Sequence, residues 1–143
     1  MYHWRDLTPE QREAVLRRRK LASHPWHTPP HPLGGEGEYH LTAACYEHRP
    51  FIGYSAERMD QFTTDLLEAL VGVEVHAWCV LPNHYHLHVT TPGLKETIAR
   101  LGRLHGRSSF LWNGEEGKRG RQVWHSVADR QIRNEAHGWA TVN

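Results

Sequence analysis

The stretch CVLPNHYHLHVTT, Cys79 to Thr91, decides the reading of this chain. Apart from Pro82-Asn83 and three histidines at every second position, its residues are ones that favour strands. Side chains alternate across a strand, so His84, His86 and His88 share one face while Tyr85, Leu87 and Val89 share the other. Pro-Asn between two such runs marks a turn, which makes "VEVHAWCVL" and "HYHLHVTT" the two arms of a hairpin. A two-residue turn pairs Leu81 with His84, Cys79 with His86 and Ala77 with His88. Trp78, Val80, Tyr85, Leu87 and Val89 then form a core-facing set. The histidines are left on an open face beside small residues.

Positions two apart on a strand lie roughly 6.5–7 Å from each other, a span that two imidazoles can close onto one ion. Neutral imidazole suits divalent metals generally. The plainer alternative for any His-x-His is a solvent-facing strand with no ligand.

On either side of the hairpin the pattern is regular. "YHLTAACYE", Tyr39 to Glu47, reads as a strand. Residues 55–72 read as a helix with Ser55 as N-cap, an apolar stripe of Met59, Phe62, Leu66, Leu67 and Leu70, and Gly72 as its end. "LKETIARLGRLHGRSS" is a second helix, with Leu94, Ile98, Leu101 and Leu104 on one side. "FLWNGEEGKRGRQ" reads as loop, "VWHSVADRQIR" as strand or strand plus turn, and "NEAHGWATVN" as the start of a further helix capped by Asn134. The order β-α-β-β-α-β predicts an α+β fold, a ferredoxin-like split βαβ with an antiparallel sheet and helices on one face.

Residues 1–37 read as an appendage to a main domain of 38–143. "LTPEQREAVLRRRK" carries a capping box, Thr8 with Gln11, and Pro9 in the first helical position. "HPWHTPPHPLGGEGE" has prolines at 25, 29, 30 and 32, which exclude helix and ladder. Trp4 and Trp26 are the expected docking residues of this segment.

The chain has 143 residues, enough for one core, and a formal net charge of only +1. Any nucleic-acid contact must therefore come from a local basic face. Its 13 histidines are the compositional anomaly. Cys45 and Cys79 make no disulfide framework and read as buried thiols in a reducing compartment. No apolar run approaches a membrane span and no signal peptide opens the chain, so the expectation is a soluble, cytoplasmic protein without a membrane partner.

"LPNHYHLHV" resembles the His-apolar-His (HUH) motif of single-tyrosine endonucleases, in particular the REP-associated and insertion-sequence transposases, whose signature runs close to PNHxH. The likeness extends in order from Tyr39 to the C-terminus. It implies a metal-dependent transposase domain with His84 and His86 as ligands of Mg2+ or Mn2+. It also implies hairpin-bearing single-stranded DNA as partner, and a tyrosine on the last helix that attacks the scissile phosphate. A third metal ligand is implied on that same helix, and His88 is implied to lie outside the ligand pair.

None of the five tyrosines suits the nucleophile's role. Tyr2 is in the appendage, Tyr39 and Tyr46 are on the first strand, Tyr54 precedes a helix, and Tyr85 points away from its flanking histidines. The resemblance puts the nucleophile beyond Asn143, and the helix from Asn134 stops after about two turns. The expectation is a chain truncated before its catalytic tyrosine, with no DNA cleavage of its own.

A phosphate-tracking surface is expected from Arg100, Arg103, Arg107, Arg119, Arg121, Arg130 and Arg133, with Trp112 or Trp124 offered for base stacking. A solvated helix face is the plainer account of the first three. Two functional alternatives stay open. One is a His-rich zinc-binding or metal-hydrolase module using His84, His86 and His88 with Cys79 or an N-terminal histidine; the other is a non-catalytic nucleic-acid-binding regulator. A homodimer is left open.

Overall fold

A computed structural model of the chain describes residues 8–21 and 36–132, without the side chains of residues 12, 16, 19 and 20. The chain divides into two units, residues 1–32 and 33–143. In the first, the helix α1 runs Pro9–Leu21. Its capping box forms as the sequence requires: the Thr8 N–H donates to Gln11 Oε1 at 2.9 Å and the Gln11 N–H to Thr8 Oγ1 at 3.3 Å. Trp4, Trp26 and the Pro/His segment lie outside the described residues.

The second unit is built on four strands: β1 (Gly37–Ala44), β2 (Glu74–Leu81), β3 (His84–Thr91) and β4 (Ala128–Gln131). They form one antiparallel sheet in the order β2-β3-β1-β4. Helix α2 (Ala56–Ala69) joins β1 to β2, and α3 (Leu94–Glu115) joins β3 to β4. This is the ferredoxin-like split βαβ arrangement expected from the element order.

Strand alternation drives the packing. Tyr39, Leu41 and Ala43 of β1 and Tyr85, Leu87 and Val89 of β3 are all buried, while their neighbours in between are not. Phe62, Leu66 and Leu70 from α2, and Leu94, Leu101 and Leu104 from α3, close over that face. The Phe62 ring lies 5.9 Å from that of Tyr85. The Tyr85 hydroxyl is hydrogen-bonded to His105 Nε2 of α3 at 3.0 Å. Both helices therefore cover the Tyr85 side, leaving the histidine side open.

Several expectations are corrected. Trp78 is 48% exposed because β2 is an edge strand that the core covers only in part, and the Cys79 thiol is exposed because it lies beside His86 on the open face. Only Cys45 is a buried thiol, and burial raises its pKa to about 11. β1 stops at Ala44 rather than Glu47, because Glu47 and His48 both turn into the left-handed region at φ 54°.

α3 continues through Phe110, Leu111 and Trp112, read from sequence as loop, to Glu115. Asn113 holds that end: its amide donates to the Arg121 carbonyl at 2.7 Å and its oxygen accepts from Arg121 Nε at 2.9 Å. Trp112 and Trp124 are in the core with Phe62, and Trp124 stacks on His105 at 4.2 Å. Neither can serve as a base-stacking platform.

Arg58 is the residue the periodicity hid. It is a buried cation on α2, donating to Glu115 Oε2 at 2.7 Å, to Glu116 Oε1 at 2.8 Å and to the Phe51 carbonyl at 3.2 Å. It ties the start of α2 to the end of α3. A buried charge is tolerable only with such compensation, so Arg58→Ala is expected to cost about 3–5 kcal/mol in denaturant unfolding.

The core also fixes an acid limit. Burial lowers His105 to about 4, so the folded state keeps it neutral while the unfolded chain binds its proton near pH 6.5. Stability is therefore full above pH 6.5 and falls by roughly 3 kcal/mol down to pH 4. The hydrogen bond from Arg121 holds Glu116 down to about 2, so further stability is lost below pH 4.5 as that carboxylate is forced to protonate. Denaturant titrations should show a first loss of midpoint between pH 6.5 and 4, much reduced in His105→Gln.

Candidate metal centre and nucleic-acid face

The ladder pairings set out the open face as rows across the sheet. Leu81, His84 and Ala44 form one row; Cys79, His86, Thr42 and Ala128 the next; Ala77, His88, His40 and Arg130 a third. Glu74, Thr90 and Glu38 make the last. The hairpin register is the one the two-residue turn requires. His76 joins this face through a β-bulge between Val75 and Ala77, and its Nε2 bonds Thr90 Oγ1 at 2.8 Å. Strict alternation put His76 with the core residues. His40, on β1, was legible as a strand residue but not as His86's neighbour.

His84 and His86 are adjacent, with ring centroids 4.9 Å apart and planes at 86°. The Nδ1 atom of each has a partner. His84 Nδ1 donates to Asn83 Oδ1 at 2.7 Å, and His86 Nδ1 meets Thr42 Oγ1 at 2.9 Å. Among the described residues neither Nε2 has a hydrogen-bond partner, so each is open to an ion in the tautomer that carries its proton on Nδ1. That is the orientation ligating histidines require: the second nitrogen held, the first exposed. Burial foremost, then the neighbouring His84, lowers the His86 pKa, which favours the neutral, ligating form of the ring. His40 stacks on His86 at 5.3 Å and 12°, and burial foremost, then His86, His88 and Arg130, lower its pKa.

The turn carrying this pair is clamped from below. The Cys45 N–H donates to the Asn83 carbonyl at 2.8 Å and the Gly53 N–H to the Pro82 carbonyl at 2.9 Å. Asn83 Nδ2 donates to the His48 carbonyl at 3.1 Å, which orients the amide so that its oxygen faces His84. Asn83 is thus more than a turn residue. Gly53 has no side chain for steric reasons: a Cβ there would come 2.5 Å from Pro82 Cβ and 2.9 Å from Pro82 Cα.

The other candidates separate. His88 is committed to a short hydrogen bond with Glu38 and its ring lies 5.0 Å from that of His76. Among the described residues no three His, Cys, Asp or Glu side chains are placed to hold one ion, so a closed zinc site with His88 and Cys79 does not form there. The donor set is two imidazoles with the remaining positions open. That fits a loosely held divalent ion with water or phosphate oxygens completing its shell.

The arginines divide in the same way. Arg100 donates to the Val71 carbonyl at 2.6 Å and to Glu96, Arg103 pairs with Glu96 at 3.0 Å, and Arg107 with Asp65 at 3.0 Å. These three line a cleft with Asp65 and Glu68 on the helical layer, across the sheet from the histidines. Arg119 lies over Phe110, and Arg121 is bound to Glu116 and Asn113. Arg130 alone of the described six stands on the histidine face, exposed and opposite His40. Arg133 and the helix expected from Asn134 lie outside the described residues.

The tyrosines also sort by position. Tyr39 and Tyr85 are buried on the core side, and burial raises the Tyr85 pKa far above its usual value. Tyr46 rests against His125, and Tyr54 lies under Arg58.

The resemblance read from residues 81–89 is met at the level of fold. The chain superposes on a REP-associated tyrosine transposase bound to a REP hairpin with a TM-score of 0.58 and 16% identity, over 82% of this chain and 68% of that one. A candidate transposase from Deinococcus radiodurans R1 gives 0.53 and 18%, over 80% of this chain and 93% of that one. No protein-family model and no curated protein matches the sequence. The chain has the α+β fold of these transposases. Among the described residues no helix is long and apolar enough to cross a membrane.

Asn83→Ala and Thr42→Val should each weaken Mn2+ binding about tenfold by freeing a ring, read by calorimetry, while circular dichroism stays unchanged. Gly53→Ala should lower the melting temperature and broaden the resonances of His84 and His86 together, since Pro82 must move.

Proposed function

We propose that this chain is a transposase domain of the single-tyrosine HUH type, whose open sheet face binds single-stranded, hairpin-bearing DNA and presents a phosphate for cleavage and rejoining. The observation that carries the reading is the His84–His86 pair: adjacent rings, each Nδ1 held by a neighbour, on a fold shared with a transposase that was solved on a DNA hairpin. His84 and His86 would hold Mg2+ or Mn2+, which supplies a Lewis acid to a phosphate oxygen. Asn83 and Thr42 keep the two rings turned for that task. The helices exclude water from the other side of the sheet, so the strands make a rigid platform for the backbone of the nucleic acid.

In the reaction class, a tyrosine oxygen bonds to phosphorus as the bond to the 3′ oxygen breaks, giving a 5′-phosphotyrosine and a free 3′-hydroxyl. The four described tyrosines are all placed elsewhere, so this reading draws its nucleophile from outside residues 8–21 and 36–132. The domain's own share is binding, orientation and charge.

Anisotropy with a labelled hairpin oligonucleotide should show binding that weakens as salt rises and exceeds that for a matched blunt duplex. Mn2+ uptake followed by electron paramagnetic resonance should fall more than tenfold in His84→Ala/His86→Ala. A chain that takes up no Mn2+ and prefers duplex would overturn the proposal.

A further inference from the structure

On the reading above, we propose that the DNA backbone crosses the sheet from β3 over β1 to β4, with Arg130 taking the phosphate next to the one at His84 and His86. Charge on the open face has a direction. The Thr90 row carries Glu74 and Glu38, and Glu38 is committed to His88. A polyanion running along β3 towards Thr90 would meet two carboxylates. Running obliquely across the strands from His86, it meets His40, stacked on that ring from one row along, and then Arg130.

Arg130 is the suitable cation because it is unspent. Arg100, Arg103, Arg107 and Arg121 have carboxylate partners, and Arg119 has a carbonyl and a ring. Arg130 has no ion pair or hydrogen bond with a described residue, and its side chain is exposed. A guanidinium at such a place binds a phosphate without first breaking a protein contact.

Spacing agrees with this path. β3 and β4 are two strands apart, about 10 Å, and Arg130 lies one row, about 7 Å, further along than His86, so the two backbones are roughly 12 Å apart and the long Arg130 side chain shortens the gap to neighbouring-phosphate range. His40 fills the space between them. Its ring lies flat on His86, which limits rotation of that ligand and leaves a level surface for the sugar-phosphate chain.

The test is a scan in which one phosphate at a time in a hairpin oligonucleotide is replaced by a neutral methylphosphonate. Binding is measured with wild type, Arg130→Gln, Arg130→Lys and, as a control away from the site, Arg103→Gln. Arg130→Gln should weaken binding roughly tenfold, as expected for losing one charge-assisted hydrogen bond. It should reduce the slope of log affinity against log salt by about 0.7, one phosphate contact on a single strand. Arg130→Lys should restore the slope, and Arg103→Gln should leave both unchanged. One methylphosphonate position should penalise wild type but not Arg130→Gln, and it should adjoin the position whose penalty disappears in His84→Ala/His86→Ala.

An unchanged slope in Arg130→Gln, or two positions that are not adjacent, overturns the path while wild-type binding leaves the transposase reading standing. Failure of wild type to bind any hairpin strand removes that reading itself.

Discussion

The structure depends on a two-residue turn that cannot slip. Pro82-Asn83 fixes Leu81 opposite His84, and because side chains alternate with period two, a one-residue change of register would turn every histidine into the core and every apolar residue out. Three backbone and side-chain bonds, from Cys45, Gly53 and Asn83, hold the turn against the segment that follows β1. The buried set Tyr85, Leu87 and Val89 on one side and the imidazoles on the other are two consequences of one register.

The same turn couples fold to chemistry. Asn83 is anchored through His48, whose left-handed backbone brings its carbonyl to the amide, and the amide oxygen then holds His84. Two consecutive non-glycine residues in that region cost of order 1–2 kcal/mol each, and they occur at the one loop that orients a candidate ligand. On the helical side, Arg58 gathers Glu115 and Glu116 and closes the layer against the sheet. Rigidity beneath the open face leaves the imidazoles few ways to splay.

Electrostatics distinguish the two faces more sharply than composition suggests. The chain is nearly neutral, and Arg100, Arg103, Arg107 and Arg121 are all paired with carboxylates on the helical side. The sheet face holds a cluster of imidazoles, a carboxylate row at one end and Arg130 on the β4 edge. Arg100, Arg103 and Arg107 do line up on α3, as their helical spacing indicates, and there Glu96 and Asp65 pair with them.

The sequence by itself determined the element order, the hairpin register and the sharing of one face by His84 and His86, because these follow from local turn chemistry and a period of two. The cap residues Thr8 and Ser55 were legible for the same reason. Only the tertiary structure decided what crosses strands or breaks a period. It stacked His40 on His86, turned His76 outwards through a bulge, and carried α3 past Phe110 because Trp112 packs on Phe62, distant in the chain, and Asn113 bonds Arg121 across the following loop. Trp78 faces solvent because β2 is an edge, and being an edge is a property of the sheet that no window of sequence contains.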